Sequence, residues 1–305
     1  MPDSLTADYV SGFAGLIGRP NAGKSTLLNR LVGRKIAIMS DKPQTTRNKI
    51  LGVLTTDSYQ IVFLDTPGIH KPQHQLGEYM VAVARNTLAE VDVILYVVDA
   101  AVSPGAGEEY IIAQLKEVAT PKILILNKID LVDAATLAQR EEFFRARLDF
   151  KAVQAVSALA GTNVADLPEL ISPFLPPGPQ YYPPEMVTDQ PEKFVMAELI
   201  REQVLRVTRE EVPHAVAVVV EEIAGRPNDY LYVDAVIYVE RDSQKGIIIG
   251  QGGQRLKEIG TGARREMEAL LGSKIFLNLR VRVKKNWRQQ ELALRQLGYD
   301  RRLIQ

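Results

Sequence analysis

Residues 18–25 read Gly-Arg-Pro-Asn-Ala-Gly-Lys-Ser (GRPNAGKS), between an apolar run at 13–17 and the helical pattern TLLNRLV. This is the GxxxxGK[ST] loop in its strand–loop–helix setting. Glycines at both ends let main-chain amides curl around phosphate oxygens, and the following helix turns its positive end toward them. In such a loop Lys24 neutralises the β- and γ-phosphates and the Ser25 hydroxyl coordinates Mg²⁺. Gly18, Asn21, Ala22, Gly23 and Thr26 complete the expected nucleotide-binding stretch.

Outward from the loop, residues 12–175 alternate short apolar runs with amphipathic stretches. Strands are expected at 13–17, 50–54, 60–64, 93–98, 123–126 and 153–156. Helices are expected at about 24–32, 76–89, 107–118, 134–148 and 163–174. Near-continuous Val/Ile/Leu runs from residue 93 onward suit strands buried on both faces. The alternation predicts an α/β domain, a mostly parallel sheet covered by helices, with chemistry where each strand stops.

Three further signals fall at such ends. DTPG (65–68) offers Asp65 to a magnesium ion and the Gly68 amide to a γ-phosphate, so the loop after it responds to hydrolysis. NKID (127–130) offers the Asp130 carboxylate to the N1–H and exocyclic amine of guanine, a donor pair adenine lacks. Asn127 would hold that loop, and the Lys128 stem would cover the ring. VSA (156–158) follows, with Ser157 in the loop and the Ala158 amide expected to donate to guanine O6. Four signals in this order specify GTP and GDP, not ATP, and catalysis by Lys24, Thr46 and Gly68. Thr46 is preferred to Thr45, in SDKPQTTRNK (40–49), as the hydroxyl that completes the Mg²⁺ shell. Ile69 follows DTPG where Ras-like proteins carry a water-positioning glutamine. Slow intrinsic turnover is therefore expected, and the water-positioning role stays unassigned, with His70 and His74 as nearby polar side chains.

With 305 residues, 46% hydrophobic and 24% charged, the chain has enough length and apolar content for two ordinary globular domains. No apolar run reaches the ~20 residues of a membrane-spanning helix, and the first twelve residues lack the pattern of a secretory signal. The absence of cysteine excludes disulfides, thiolate metal sites and a cysteine nucleophile. A net charge of zero conceals an asymmetry: residues 241–305 hold 15 Lys and Arg against 6 Asp and Glu, leaving 22 and 31 for the rest. A basic end on a neutral chain calls for nucleic acid or an anionic membrane surface, or is a solvated helical face.

At about 176–191 the text becomes PPGPQYYPPEMVTDQP, a linker by composition. It separates a nucleotide domain at 1–178 from a second domain at 192–305. There the order is helix (192–208), β-rich runs (215–223 and 231–239), helix–glycine–helix (243–271), a third β run (275–283) and a basic amphipathic helix at 287–297. That α-β-β-α-α-β order describes a smaller α+β domain. Gly250-Gln251-Gly252-Gly253 between its helices is a GxxG loop, which clamps the backbone of about four unpaired nucleotides in KH domains. It is also an acceptable plain connection between two helices. For RNA binding, Lys245, Arg255 and Lys257 would supply charge, and Ile248 with its neighbours Ile247 and Ile249 an apolar floor for bases. The tail LRVRVKKNWRQQ would extend an RNA surface, touch anionic lipid, or pack on its own domain.

GRPNAGKS, PQTTR, DTPG, NKID, VSA and GIIIGQGG, spread from about residue 12 to 300, resemble the Era family of bacterial GTPases. The resemblance implies a Ras-like P-loop GTPase domain joined to a KH domain of the second topological type. It also implies binding near the 3′ end of 16S ribosomal RNA and a part in maturing the 30S ribosomal subunit. Cytoplasmic location, with a fraction held peripherally at the inner membrane, is implied too. Within the wider group an asparagine at the position of Asn21 holds K⁺, and a hydrophobic residue follows DTPG, as Ile69 does here. DNA is not an expected partner. Two other classes fit the residues less well. A membrane- or protein-docking signalling GTPase has no need of the GxxG loop, and a tRNA-modifying GTPase would need a catalytic site that residues 180–305 do not offer.

Overall fold

The computed structural model describes residues 9–69, 72, 74–226 and 230–304. The described residues within Met1–Ala37, Thr46–Pro72 and Met80–Asp189 form one compact unit, and those within Ile38–Thr45, Gln73–Tyr79 and Gln190–Gln305 form another.

The first unit is built on a six-stranded sheet in the order β2-β3-β1-β4-β5-β6. Its strands are β1 (Val10–Ile17), β2 (Ile50–Thr55), β3 (Tyr59–Asp65), β4 (Val93–Asp99), β5 (Lys122–Asn127) and β6 (Ala152–Val156). Only the β2–β3 pair is antiparallel. The helices are α1 (Lys24–Val32), α2 (Gln75–Glu90, of which the part from Met80 onward belongs to this unit), α3 (Ala106–Lys116), α4 (Ala134–Arg145) and α5 (Leu167–Ile171). Residues 93–98 of β4 and all of β5 are buried, as their unbroken apolar runs require of strands covered on both faces. Register then brings the motif residues to one end of the sheet. Leu16 pairs with Asp65, Asp99 with Asn127, and Asn127 with Val156.

Two helices are shorter than their periodicity predicts. Positive φ at Gly161 (87°) and Asn163 (57°) turns the chain before α5, and Pro173 belongs to a 3₁₀ turn that ends it. α4 stops at Arg145, since Arg147 and Leu148 both bond back to the Phe144 carbonyl in a closing turn.

The proline-rich stretch is not a free tether. Ser11 donates to the Pro176 carbonyl (3.1 Å), Gly178 to Tyr9 (3.1 Å) and Val53 to Val187 (2.8 Å). The Gln60 side chain accepts from the amides of Tyr181 (2.7 Å) and Tyr182 (3.0 Å), and Tyr181 stacks on Phe13. The prolines, which cannot donate to a ladder, thus run along strands whose free main-chain groups they help to satisfy.

In the second unit α6 (Glu192–Val207), the short turn α7 (Val212–Ala215), α8 (Asp242–Ile249) and α9 (Gln254–Leu271) accompany a three-stranded sheet. Here β7 (Ala217–Arg226) pairs antiparallel with β8 (Tyr230–Val239), and β8 pairs parallel with β9 (Lys274–Val283). The β run predicted from residue 215 starts at Ala217, because Pro213 opens the helical turn of α7. Alternate apolar residues of the sheet, among them Val233, Ile237, Ile275 and Val281, form one core with Ile200, Ile259 and Met267.

The amphipathic helix predicted over 287–297 is corrected to a 3₁₀ turn (Trp287–Gln289) followed by the short α10 (Glu291–Gln296). Trp287 is wholly buried, and its indole N–H donates to the Ala215 carbonyl at 2.9 Å. Positive φ at Asn286 (53°) makes the turn that delivers it. Among the described residues no helix is long and apolar enough to cross a membrane. Segment Ile38–Thr45 belongs to this unit through α6: Met39 donates to Glu202 Oε1 (3.0 Å) and the buried Arg201 guanidinium bonds the Thr45 carbonyl.

Candidate functional site

The loop after β1 wraps a buried lysine. Lys24 Nζ donates to the carbonyls of Gly18 (3.2 Å) and Arg19 (3.0 Å). Burial lowers its ammonium below the ordinary lysine value, against the opposing pull of Asp65 and Glu108. Two glycines are fixed by contact. A Cβ on Gly23, whose φ is 94°, would meet Asn127 Nδ2 at 2.2 Å, and one on Gly68 would meet the Pro20 nitrogen at 2.3 Å. The DTPG loop therefore lies directly on the phosphate loop, where the Ile69 amide donates to the Gly18 carbonyl (3.1 Å).

Three oxygen-bearing side chains converge beside Lys24. Ser25 Oγ donates to Asp65 Oδ2 (2.6 Å) and lies 2.8 Å from Thr46 Oγ1, which is itself 3.3 Å from Asp65 Oδ2. Asp65 is fully buried and its Oδ1 has no hydrogen-bond partner. Burial pushes its carboxyl above the ordinary range despite Lys24. A buried orphan acceptor carries a desolvation cost, and hard oxygen donors around it suit Mg²⁺. A cation and a triphosphate would restore full charge to Asp65 and Lys24 together. Thr45 Oγ1 instead donates to the Lys42 carbonyl (2.6 Å).

At the other side of the loop Asn127 joins three segments. Its Nδ2 donates to the Ala22 carbonyl (2.8 Å), and its Oδ1 accepts from the amides of Lys128 (2.8 Å) and Ala158 (2.9 Å). The Ala158 amide, expected to be open to guanine O6, is thus already engaged and would have to share its proton. Lys128, held at φ 66°, pairs with Asp99 Oδ2 at 2.6 Å, so its stem is fixed. Asp130 stands exposed on the 3₁₀ turn Ile129–Leu131, and Ser157 is buried with its Oγ accepting from the Ala160 amide.

Several participants escaped the sequence reading. Asp99 ends a strand, as Asp65 and Asn127 do, and that position was its available signal. Glu108 and Arg30 gave none. Glu108 is buried beneath Arg19 (3.8 Å) and accepts from the Tyr96 hydroxyl, while Arg30 Nη2 donates to the Leu159 carbonyl (2.6 Å). Ile69 is buried, and His74 Nδ1 accepts from the Gly77 amide at the head of α2 (2.9 Å), a capping contact. His70 lies outside the described residues.

In the second unit the GxxG turn joins α8 to α9 with positive φ at Gly250 (71°), Gly252 (57°) and Gly253 (80°). A Cβ on Gly252 or Gly253 would meet nothing within 4 Å, so a ligand backbone has room there. Gln251 and Lys257 are exposed, Lys245 is half-buried, and Arg255 folds back to donate to the Ile247 carbonyl (2.6 Å). Ile248 is corrected. It is 0% exposed within the core, because α8 turns that side chain inward, and it cannot floor a base site. Ile247, 40% exposed, is the isoleucine that faces out.

Residues 13–128 match the family described as 50S ribosome-binding GTPase, and residues 211–288 match the KH domain. Two solved structures are similar over nearly the whole chain. One is a point variant of Aquifex aeolicus Era bound to GDP·AlF4⁻, 39% identical, with a TM-score of 0.91 over 95% of this chain and 99% of that one. The other is Era in complex with MgGDPNP and nucleotides 1506–1542 of 16S ribosomal RNA, 40% identical, with a TM-score of 0.92 over 96% and 99%. With its phosphate loop, strand-end motifs and GxxG turn arranged as described and likeness at this level along its length, the chain belongs to the Era family, a GTPase domain followed by a KH domain.

Proposed function

We propose that this GTPase is a nucleotide-controlled RNA-binding switch that acts on the 3′-terminal region of 16S ribosomal RNA and assists maturation of the 30S subunit. The observation that supports it most is the likeness, at 40% identity over 96% of the chain, to Era holding both MgGDPNP and 16S nucleotides. That neighbour favours the small subunit over the 50S particle named in the broader family description.

The residues divide the chemistry as follows. Lys24 meets the β- and γ-phosphates, amides of Gly18 and 21–26 hold their oxygens, and Asp130 selects guanine beside the Lys128 stem. Ser25, Thr46 and Asp65 would hold Mg²⁺, which would offset charge developing on the transferred phosphoryl group. Attack by water on the γ-phosphorus forms one P–O bond as the bond to the β–γ bridging oxygen breaks, leaving GDP and phosphate. The Gly68 amide loses its γ-phosphate contact, and Thr46 its reason to stay ordered. Segment Ile38–Thr45, held by Arg201 and Glu202 in the second unit, is one residue from Thr46 in the chain. It is the peptide through which nucleotide state reaches α6. Asn21 (φ 64°) is the residue for K⁺ dependence, testable as faster hydrolysis in K⁺ than in Na⁺. Lys245, Gln251, Arg255 and Lys257 with Gly250, Gly252 and Gly253 contact RNA phosphates. The reading places the protein in the cytoplasm, with peripheral membrane attachment through its basic 241–305 region.

The test is binding of a labelled oligonucleotide copying the 16S 3′ end against a scrambled one, at fixed salt because phosphate contacts are screened. Preference for the ribosomal sequence supports the proposal. Equal binding rejects it and leaves a basic GTPase without a defined RNA.

A further inference from the structure

The second unit's sheet has a face that the helices do not cover. Alternation along β9 puts Lys274, Phe276, Asn278, Arg280 and Arg282 on one side, while Ile275 and Val281 enter the core. Phe276 lies opposite Tyr232 of β8 in the ladder, and their rings stack with centroids 5.9 Å apart and planes 16° from parallel. On the other side of Tyr232, the Arg226 guanidinium of β7 sits 5.0 Å from the ring centroid. The three side chains form a column running across the sheet: cation, ring, ring.

The column ends at an edge. β9 is the last strand in the order β7-β8-β9, and Phe276 is 62% exposed. Tyr230, two residues before Tyr232 and opposite Lys274, is 42% exposed. Two cations, Arg226 and Lys274, flank this aromatic end; on the same face Asp234 and Glu221 are engaged by Arg280, and the exposed Glu222 sits opposite Asp234, further along the ladder from Phe276. An open π-face beside positive charge fits an unpaired nucleobase, whose ring continues the column while its phosphate meets the cations.

Building on the RNA reading above, we infer that this outer sheet face is a second RNA contact, distinct from the GxxG turn, at which one unpaired base stacks on Phe276. The turn grips backbone through glycine amides, and the sheet face grips a base through π-contact, so a single strand long enough for both is held more tightly than one that fills the turn alone.

The test uses the full-length protein with a GTP analogue and two single-stranded RNAs, a tetranucleotide and a longer strand carrying 2-aminopurine. Phe276→Ile keeps an apolar, strand-compatible side chain but removes the π-face; Phe276→Trp enlarges it. The inference expects Phe276→Ile to weaken the long strand about tenfold, within the range of one base–aromatic stack, and to abolish 2-aminopurine quenching. Phe276→Trp retains both, and tetranucleotide affinity stays constant in all three proteins. If Phe276→Ile fails to fold, cross-linking of a 4-thiouridine strand to wild-type protein reads the same contact in the peptide holding Phe276. Wild-type affinity for the long strand in a folded Phe276→Ile protein overturns the inference and leaves the face to a protein partner. Gly253→Asp separates the two readings, since it abolishes binding of both RNAs only if the GxxG turn binds RNA. A wild-type protein that binds neither strand overturns both.

Discussion

Asn127→Ala removes the side chain that ties three loops together, and its cost follows from the hydrogen bonds that side chain makes. The variant leaves the buried Ala22 carbonyl and Ala158 amide without partners, together with the half-buried Lys128 amide. Each buried polar group left unpaired costs about 1–3 kcal/mol, so the two buried ones alone amount to roughly 2–6 kcal/mol. For a unit of this size a loss near 4 kcal/mol lowers Tm by about 8–16 °C. Because the bonds are internal to the protein, the loss appears without any nucleotide, in a thermal melt of the free chain. Nucleotide affinity falls too, since Ala22 belongs to the phosphate loop and Lys128 and Ala158 to the base-binding loops. Titration with a fluorescent GDP measures that part. A melt within 2 °C of wild type together with unchanged GDP affinity would refute the bridging role assigned to Asn127.

Three other expectations follow from single contacts. Gly23→Ala forces a side chain into φ 94° and to 2.2 Å from Asn127 Nδ2, so fluorescent GTP binding is lost, and RNA affinity no longer responds to a GTP analogue, in a protein whose circular dichroism shows it folded. Asp130→Asn exchanges a double acceptor for a group with one acceptor and one donor; two charge-assisted hydrogen bonds at about 1.5–3 kcal/mol each make GTP at least a hundredfold weaker, with xanthosine triphosphate now preferred in competition. Glu108→Gln tests a buried carboxyl that burial pushes up, with Tyr96, Arg19 and Lys24 pulling it back and Asp99 adding to the rise. A raised pKa gives stability that is present below the ordinary glutamate value and lost as pH climbs through the raised one. Wild type should therefore melt like the Gln variant at low pH and fall below it as pH rises; parallel curves would show that the carboxyl titrates normally.

Most of the nucleotide site was legible because its residues sit where short strands stop, and buried parallel strands announce themselves as unbroken runs such as VILYVVD. Register did the rest: Asp99 pairs with Asn127 on neighbouring strands, and Asp65 reaches the same end of the sheet beside Leu16, at the start of the phosphate loop. What stayed hidden were contacts that no local pattern encodes. Glu108 reads as a surface residue of a helix until Tyr96 and Arg19 are seen against it. The proline-rich stretch has a linker's composition, yet hydrogen bonds to Gln60 and Val53 pin it down. Ile248 shows where the pattern stops: three consecutive isoleucines cannot all face one way on a helix, and it is the packing of α8 that puts Ile248 in the core and leaves Ile247 outside. The tail's three readings were settled only by packing: Trp287 is wholly buried and bonded to Ala215, so this part of the tail packs on its own domain.

The central claim is that nucleotide state controls RNA binding through the Thr46 and Gly68 loops. The most direct measurement is the affinity of the full-length protein for the 16S 3′-end oligonucleotide, at one fixed salt concentration, loaded with a non-hydrolysable GTP analogue or with GDP. The account predicts distinctly tighter binding in the analogue state, and the loss of that difference in Thr46→Ala. Equal affinity in the two states would contradict it, because a ligand without differential affinity shifts no equilibrium.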